Sequence, residues 1–303
     1  MGPGLGKLAV AALPARPWGA HALGRAAEVA AHDVVCGHGA AAPILEGEYT
    51  STHISVILGG AFHARTSEGR ALLGPGALML GNAAGAYEYR HVDDGGDRSL
   101  VFEYGGELLD EVASAVGAGP RGERAFAAVC VPASASTAEA VMLAHAALAS
   151  GDLEALREAA LAVAAVALSS GSNRRRAPAR DATAAQARRV ARVLRHVEAH
   201  SDEDCSLDAL AARAGLSSYH FLRVFRGLTG QTPRQFVIAT RLRAAALALH
   251  TTTAPVTSIA FDAGFGDLSH FHASFARAFG TSPQAYRRSR RAGPGSRELR
   301  GTW

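Results

Sequence analysis

The segment from Leu207 to Tyr286 is written twice, and this repeat limits what the chain can fold into. Leu210-Ala211, Ala214-Gly215-Leu216, Phe221, Phe225, Gly230, Thr232-Pro233 and Phe236 form the first copy. Ile259-Ala260, Ala263-Gly264-Phe265, Phe271, Phe275, Gly280, Ser282-Pro283 and Tyr286 form the second. The offset is 49 residues up to the glycine (215 to 264) and 50 after it (230 to 280), so the second turn is one residue longer. Self-similarity at such a period marks one supersecondary unit used twice.

Each copy reads as a helix-turn-helix. Leu207, Leu210, Ala211 and Ala214 fall at helical spacing and form one apolar stripe. Ala211 is small where a second helix must cross closely. Gly215 stands where a left-handed residue ends a helix at little cost. Ser217 is placed to cap the next helix, whose Phe221, Val224 and Phe225 turn back onto the first. A plain helical hairpin would show one such pattern. Two copies, each followed by Gly-x-[Ser/Thr]-Pro-x-x-aromatic, point instead to paired readers of the DNA major groove.

Residues from about 184 to 289 resemble the DNA-binding domain of the AraC/XylS family of bacterial transcription regulators. The resemblance is carried by Pro255-Val256, Ile259-Ala260, Gly264-Phe265, Ser269-His270-Phe271, Phe275, Phe279-Gly280, Ser282-Pro283 and Tyr286-Arg287-Arg288. It covers about a third of the chain. It implies seven helices, with two helix-turn-helix units joined by one long helix. It also implies that positions 219, 222 and 223 of the first unit, and 268, 269, 272 and 273 of the second, face bases.

Charge divides along the chain in agreement. Residues 174–303 hold 21 Arg, no Lys and 9 acidic side chains, giving +12; residues 1–173 hold 10 basic and 18 acidic, giving −8. An Arg-rich composition explains Arg over Lys but not this segregation, which suits nucleic acid at the basic half. The 303 residues suggest about two domains, and 48% apolar content is ample for their cores. Cys36, Cys130 and Cys205 form no CxxC, so neither a disulfide framework nor a zinc finger is expected, and a reducing cytoplasm fits. No apolar run is long enough for a membrane span. Lys7 and the apolar run Leu8 to Leu13 look faintly like a signal peptide, but Pro14 cuts the run short and the stretch reads as an N-terminal arm.

The region 31–104 reads as short strands separated by glycine turns. Thr50 to Leu58 is rich in β-branched residues, with Gly59-Gly60 as a hairpin turn and Ala61 to Thr66 returning. Ser67-Glu68-Gly69 and 93–97 are further turns. Tyr87, Tyr89 and His91 alternate onto one face. This pattern implies an all-β barrel. Leu73-Gly74-Pro75-Gly76-Ala77-Leu78-Met79-Leu80 resembles the Pro-x-Gly turn of the cupin barrels that often precede an AraC-type domain. The metal-binding cupin pattern is not intact, because no His-x-His with a nearby Glu occurs in the first hairpin. Helices are expected over 107–116, 135–149 and 153–168. The last two form an apolar pair that either packs on the barrel or meets the same pair of another subunit.

The expected architecture is therefore α+β. A cupin-like effector-binding and dimerisation domain spans 1–170, a linker 171–182, an all-α DNA-binding domain of two helix-turn-helix units 183–291, and a disordered tail 292–303. Arg174-Arg175-Arg176 in the linker either touches phosphate or is simply solvated.

Candidate DNA contacts are Ser218, Tyr219, Leu222, Arg223 and Arg226 in the first unit, and Leu268, Ser269, His270, His272, Ala273 and Arg277 in the second. Arg223 has the fork that suits guanine O6 and N7, whereas Arg226 suits phosphate. Ala273 stands where Arg is common in the family. His270 is either a phosphate partner or a half-buried structural histidine. Candidate effector groups are His53, His63, Tyr87, Tyr89 and His91, with Glu88 a further candidate metal or ligand group. Strand histidines are more often surface or core residues, so neither a metal nor a cofactor is expected. Cys36-Gly37-His38 is either a thiol sensor or a small buried hydrophobe.

The reading is a ligand-responsive, cytoplasmic, non-enzymatic regulator. Its partners are double-stranded operator DNA in direct repeats, a small effector, a second copy of the chain and, as a further candidate, RNA polymerase. The alternative is a metal-dependent cupin enzyme fused to a DNA-binding domain. No P-loop and no GxSxG is present.

Overall fold

The computed structural model describes residues 18–26, 28–118, 124–169 and 183–291. The expected arm before residue 18, the linker 171–182 with its arginine run, and the tail 292–303 lie outside these residues.

The N-terminal part is β-rich. Strands β1 (Gly19–Ala26), β2 (Val29–Cys36), β3 (Leu45–Glu48), β4 (His53–Gly60), β5 (Phe62–Thr66), β6 (Gly69–Leu73), β7 (Leu78–Gly81), β8 (Ala86–His91), β9 (Asp97–Tyr104) and β10 (Cys130–Val131) form two antiparallel sheets. One has the order β1-β2-β9-β4-β7-β10 and the other β3-β8-β5-β6. Central β4, paired with both β9 and β7, is buried on both faces. Ile54, Val56 and Leu58 pack beneath helices, while Ile57 joins Phe62, Ala64 and Leu73 between the sheets. This is the period-2 alternation of a strand covered on two sides.

The Gly59-Gly60 hairpin expected from the sequence does not form. Gly59 and Gly60 pair with Arg98 and Asp97 of β9, whereas Phe62 pairs with Leu73 and His91 in the other sheet. The chain therefore crosses between sheets here. Gly60 has φ +81°, and a Cβ on it would lie 2.2 Å from the Gly96 carbonyl oxygen, so the glycine serves a crossing. The Ser67–Gly69 turn does close a hairpin, with Thr66 opposite Gly69.

Helices α1 (Gly106–Ala115), α2 (Ala138–Ser150) and α3 (Leu153–Ser169) follow, and a short 3₁₀ turn, Ala135–Thr137, leads into α2. Of the two options for the apolar pair, the structure takes packing within the chain. Ala159, Ala160, Val163, Ala164 and Ala167 of α3 are fully buried in the core that contains Ile54 and Val56, and the Tyr104 hydroxyl donates to the Ala160 carbonyl at 2.8 Å. Ala138 and Met142 of α2 pack into the second half of the C-terminal domain. Alanines along α3 let it sit close on the sheet.

The C-terminal domain has seven helices among its described residues: α4 (Ala184–Ala199), α5 (Leu207–Ala214), α6 (Ser218–Thr229), α7 (Pro233–Thr251), α8 (Val256–Asp262), α9 (Leu268–Phe279) and α10 (Pro283–Arg291). Thr183 and Gln186 form a capping box on α4, and Thr232 and Gln235 form another on α7. The sequence predicts one buried stripe on α7, including Leu242, Ala246 and Leu249. Instead α7 is buried almost all round from Phe236 to Leu249, because both helix-turn-helix units and α2 pack against it.

Contacts between the domains are specific. Arg195 of α4 makes a bidentate pair with Asp93 (2.8 and 2.5 Å) and donates to the Gly96 carbonyl at 2.8 Å. Arg243 of α7 is buried against Gly76 and donates to the Pro75 carbonyl at 3.4 Å. Burial pulls Arg243 down to about 10, with Glu198 opposing, and pushes the Glu198 carboxyl up to about 7. His145 of α2 shares this seam; burial, then Arg243 and Arg98, pull its imidazole down to about 4. A histidine depressed in the fold binds fewer protons there than when unfolded. Its contribution is intact above pH ~6.5 and is lost as pH falls toward ~4. His145→Asn should therefore leave stability at pH 8 little changed, yet resist acid better than the parent. Denaturant melts should show a relative gain on the order of 1–2 kcal/mol at pH 5.

Candidate nucleic-acid interface

Two recognition helices, α6 and α9, are held in the same way. Gly215 ends α5 with φ +64°, and Gly264 follows α8 with φ +91°. Caps follow two residues after the first glycine and three after the second, the extra residue expected from the repeat. Ser217 accepts from the His220 amide, and Asp267 accepts from the Ser269 and His270 amides at 3.0 Å each. Gly264 is constrained twice: a Cβ there would also lie 2.6 Å from the Ser201 carbonyl oxygen and 2.8 Å from Arg241 Nε.

The inward faces are aromatic. Phe221 and Phe225 meet edge-to-face at 5.5 Å, and Phe225 lies 6.1 Å from Phe236 of α7. Phe271, Phe275 and Tyr286 repeat this, with centroids 5.6 and 5.4 Å apart. All of these side chains are buried. Burying one face with rings fixes which residues the opposite face presents.

Each predicted contact can now be placed. Tyr219 is 77% exposed, a large ring projected into solvent. Arg223 and Arg226 are exposed, and Leu222 is half-buried. Ser218 is half-buried, and its hydroxyl donates to Asp208, so it braces the unit. In the second unit Ser269, His270, His272, Ala273 and Arg277 are exposed and Leu268 is half-buried. His270 is thus not the half-buried residue of its structural reading. It borders a groove of about 330 Å³ between α9 and the start of α7, with Thr232, Arg234, Gln235, Ser274 and Arg277. Two arginines and a helix N-terminus around one groove suit an anion. Sequence reading missed Arg234, although a basic residue directly after the Thr232-Pro233 cap was available as a signal.

Other arginines of the basic half are spent internally. Arg189 donates to the Gly215 carbonyl (2.8 Å), Arg241 to the Ser201 carbonyl (2.7 Å) and Arg287 to the Ala254 carbonyl (2.6 Å). They secure helix ends and loops.

The predicted effector residues fall into three places. Tyr87, Tyr89 and His91 share a face of β8, opposite Thr66, Ala64 and Phe62. Tyr49 stacks on Tyr87 at 4.7 Å, Tyr87 on Tyr89 at 4.7 Å, and His53 meets Tyr49 at 4.5 Å. The Tyr49 and Tyr89 hydroxyls are hydrogen-bonded; burial pushes Tyr49 up to about 12 and raises Tyr89 further. His63 lies apart, on the other face of β5 from Phe62 and Ala64, and is lowered by burial and then by Arg90 and Arg70. Glu88 pairs with Arg65 and Arg90 at the surface. His91 also lies apart from the tyrosines, beside Cys36 and His38.

Comparison with known proteins agrees with a helix-turn-helix reading of this stretch. The family described as "Helix-turn-helix domain" matches residues 210–289. The regulatory protein SoxS of Escherichia coli K12 is 34% identical over 91 residues, which are 30% of this chain and 85% of SoxS. The chain belongs to the AraC/XylS family. The right origin-binding protein of the same strain is 38% identical over 93 residues, 31% of this chain and 32% of that protein. The match therefore spans about a third of that relative's length. Among solved structures, the DNA-binding domain of AdpA, in complex with a target DNA, is 36% identical and covers 37% of this chain and 97% of that one, with a TM-score of 0.33. The matched AraC/XylS stretch contains α6, α9 and every residue predicted to face DNA.

The two units present unequal chemistry. A bidentate Arg–guanine contact discriminates by ~1–3 kcal/mol, whereas a serine accepts almost any base edge. Arg223→Ala should erase base preference at one half of the binding site at about that cost. Ser269→Ala should change affinity little and evenly across sequences. Titrations over every single-base operator variant check this, and the reverse ranking would invert the assigned roles.

Proposed function

We propose that the chain is a ligand-responsive DNA-binding transcription regulator that reads two adjacent major-groove segments. The carrying observation is the pair of recognition helices, each capped, anchored by buried rings and exposing polar side chains on its outer face. In this reading Tyr219, Leu222 and Arg223, and then Leu268, Ser269, His272 and Ala273, face bases. Arg226, His270 and Arg277 hold phosphate, and Ser218 orients the first helix. Successive major-groove segments on one face of the duplex lie ~34 Å apart, so α7 acts as the spacer.

The N-terminal domain takes the input. His53, Tyr87 and Tyr89, with His63 and His91 on neighbouring surfaces, are proposed to meet a small effector. The route to DNA runs through Asp93–Arg195 and through α2 against α7. SoxS is named as a regulatory protein and the other reported relative as an origin-binding protein, which supports this reading over a metal-dependent cupin enzyme. Direct-repeat operators, RNA polymerase and a homodimer through residues 1–170 belong to the same proposal. One face of α3 is covered within the chain, so a dimer would use the remaining surface of residues 1–170. No described helix is long and apolar enough to cross a membrane, and a DNA partner places the proposed action in the cytoplasm.

Each neutralised phosphate releases counterion, so affinity should fall steeply with salt. Six to ten such contacts cost ~10³–10⁵-fold between 50 and 200 mM. Fluorescence anisotropy of the full chain on genomic operator candidates checks this. Binding that is absent at low salt, or unchanged across the range, would sink the reading. Light scattering at micromolar concentration tests the dimer separately, and a monomer would remove it.

A further inference from the structure

We propose that Cys36, His38 and His91 form a binding site for one divalent cation of the zinc class. Cys36 ends β2, His38 follows two residues later, and His91 ends β8 in the other sheet. Cys36 Sγ lies 3.3 Å from His38 Nδ1 and 3.5 Å from His91 Nε2, and the three donor atoms all fall within 4.8 Å of one another. With Zn–S near 2.3 Å and Zn–N near 2.0–2.1 Å, tetrahedral geometry sets sulfur and nitrogen about 3.6 Å apart. The two observed sulfur–nitrogen separations are close to that edge length. One thiolate and two imidazoles suit a cation of borderline softness rather than magnesium or calcium.

The surroundings are built to hold this set. His91 points its other nitrogen, Nδ1, at Asp97 Oδ1, 3.4 Å away, and these side chains are only 5% and 7% exposed. Among the described residues, buried Asp97 Oδ1 makes no hydrogen bond. A carboxylate behind a histidine is the usual orienting group for a metal ligand, fixing the tautomer that offers Nε2. The backbone is also pinned. Cys36 pairs with Asp97 in the β2–β9 ladder, and the Ala40 amide donates to Asp94 at 3.0 Å. Gly96, at φ +64°, lies so close to Cys36 that a Cβ would fall 2.4 Å from the Cys36 carbonyl oxygen. Exposed His38 leaves the site an entry path from solvent. The loop that follows His91 carries Asp93, the partner of Arg195, so an ion here would stiffen the segment that touches the DNA-binding domain.

This departs from the metal-free domain expected from the absent His-x-His and Glu set. It uses a different set of ligands, taking only His91 from the proposed effector groups as an ion ligand instead, and it does not rest on the DNA-binding reading.

The test uses the full chain, reduced, stripped with chelator and titrated with Co²⁺. One equivalent should bind and produce a thiolate-to-cobalt charge-transfer band that Zn²⁺ bleaches. Cys36→Ser should abolish the band, while Cys130→Ser and Cys205→Ser keep it. Asp97→Asn should weaken Zn²⁺ affinity ~10–100-fold. In the unmutated chain, Zn²⁺ should protect Cys36 from alkylation and leave Cys130 and Cys205 unprotected, a readout that survives if a variant misfolds. No band, a band that persists in Cys36→Ser, or no protection of Cys36 would overturn the site.

Discussion

The structure depends on the burial of one helix. α7 is enclosed by α4 to α6 on one side, α8 to α10 on another, and α2 on a third. Enclosure of this kind excludes water from nearly every side chain between Phe236 and Leu249. It makes the two helix-turn-helix units parts of one rigid body, because neither can rotate without reopening apolar surface. It also forces a charge inside. Arg243 keeps hydrogen bonds to the Pro75 carbonyl and Thr240, while its Nη1 remains unpartnered. A buried guanidinium with an unmet donor is costly, and removing Glu198 nearby would cost more.

Arginine does two jobs in the basic half. Where its fork reaches backbone carbonyls, as at Arg189, Arg241 and Arg287, it finishes helix ends and loops. Where it stands on the outer face of α6 or α9, as at Arg223, Arg226 and Arg277, it is exposed. The charge excess that suggests nucleic acid is therefore larger than the charge that can reach it. The anion-suited groove between α7 and α9, with Arg234, adds to the exposed set.

Two of the contacts between the N-terminal domain and the reader differ in character. Asp93 and Arg195 form a polar pair near the rim, 19% and 30% exposed. Ala138 and Met142 against α7 form an apolar contact in the centre. The first is a partly solvated polar contact; opening the second exposes apolar surface to water. A signal from the β domain would thus pass more readily through the rim, where the 91–97 loop joins β8 to β9, than through the packed centre.

Much of the reader was legible in the sequence. The repeat, the Gly215 and Gly264 turns, the caps and the Phe221/Phe225 and Phe271/Phe275 faces are local features, each within a few residues of its partner, so helical periodicity reveals them. The outward residues followed, since the rings fix the inward face. Tyr87, Tyr89 and His91 on one face of β8 were legible for the same reason, at period 2. What sequence could not settle depended on distant pairings. Gly59-Gly60 has the composition of a hairpin, yet β4 gains more buried pairing between β7 and β9 than beside β5. Cover for α2 and α3 was open until the sheet and α7 supplied it. The partner of Arg195 is Asp93, 102 positions earlier, which no local pattern indicates. Cys36 and His91 are 55 positions apart and come within 3.5 Å only because β2 and β8 end at the same edge of the two sheets. Local periodicity is set by chain geometry and can be read along the chain; long-range register is set by which apolar surfaces bury each other, and only the folded structure decides that.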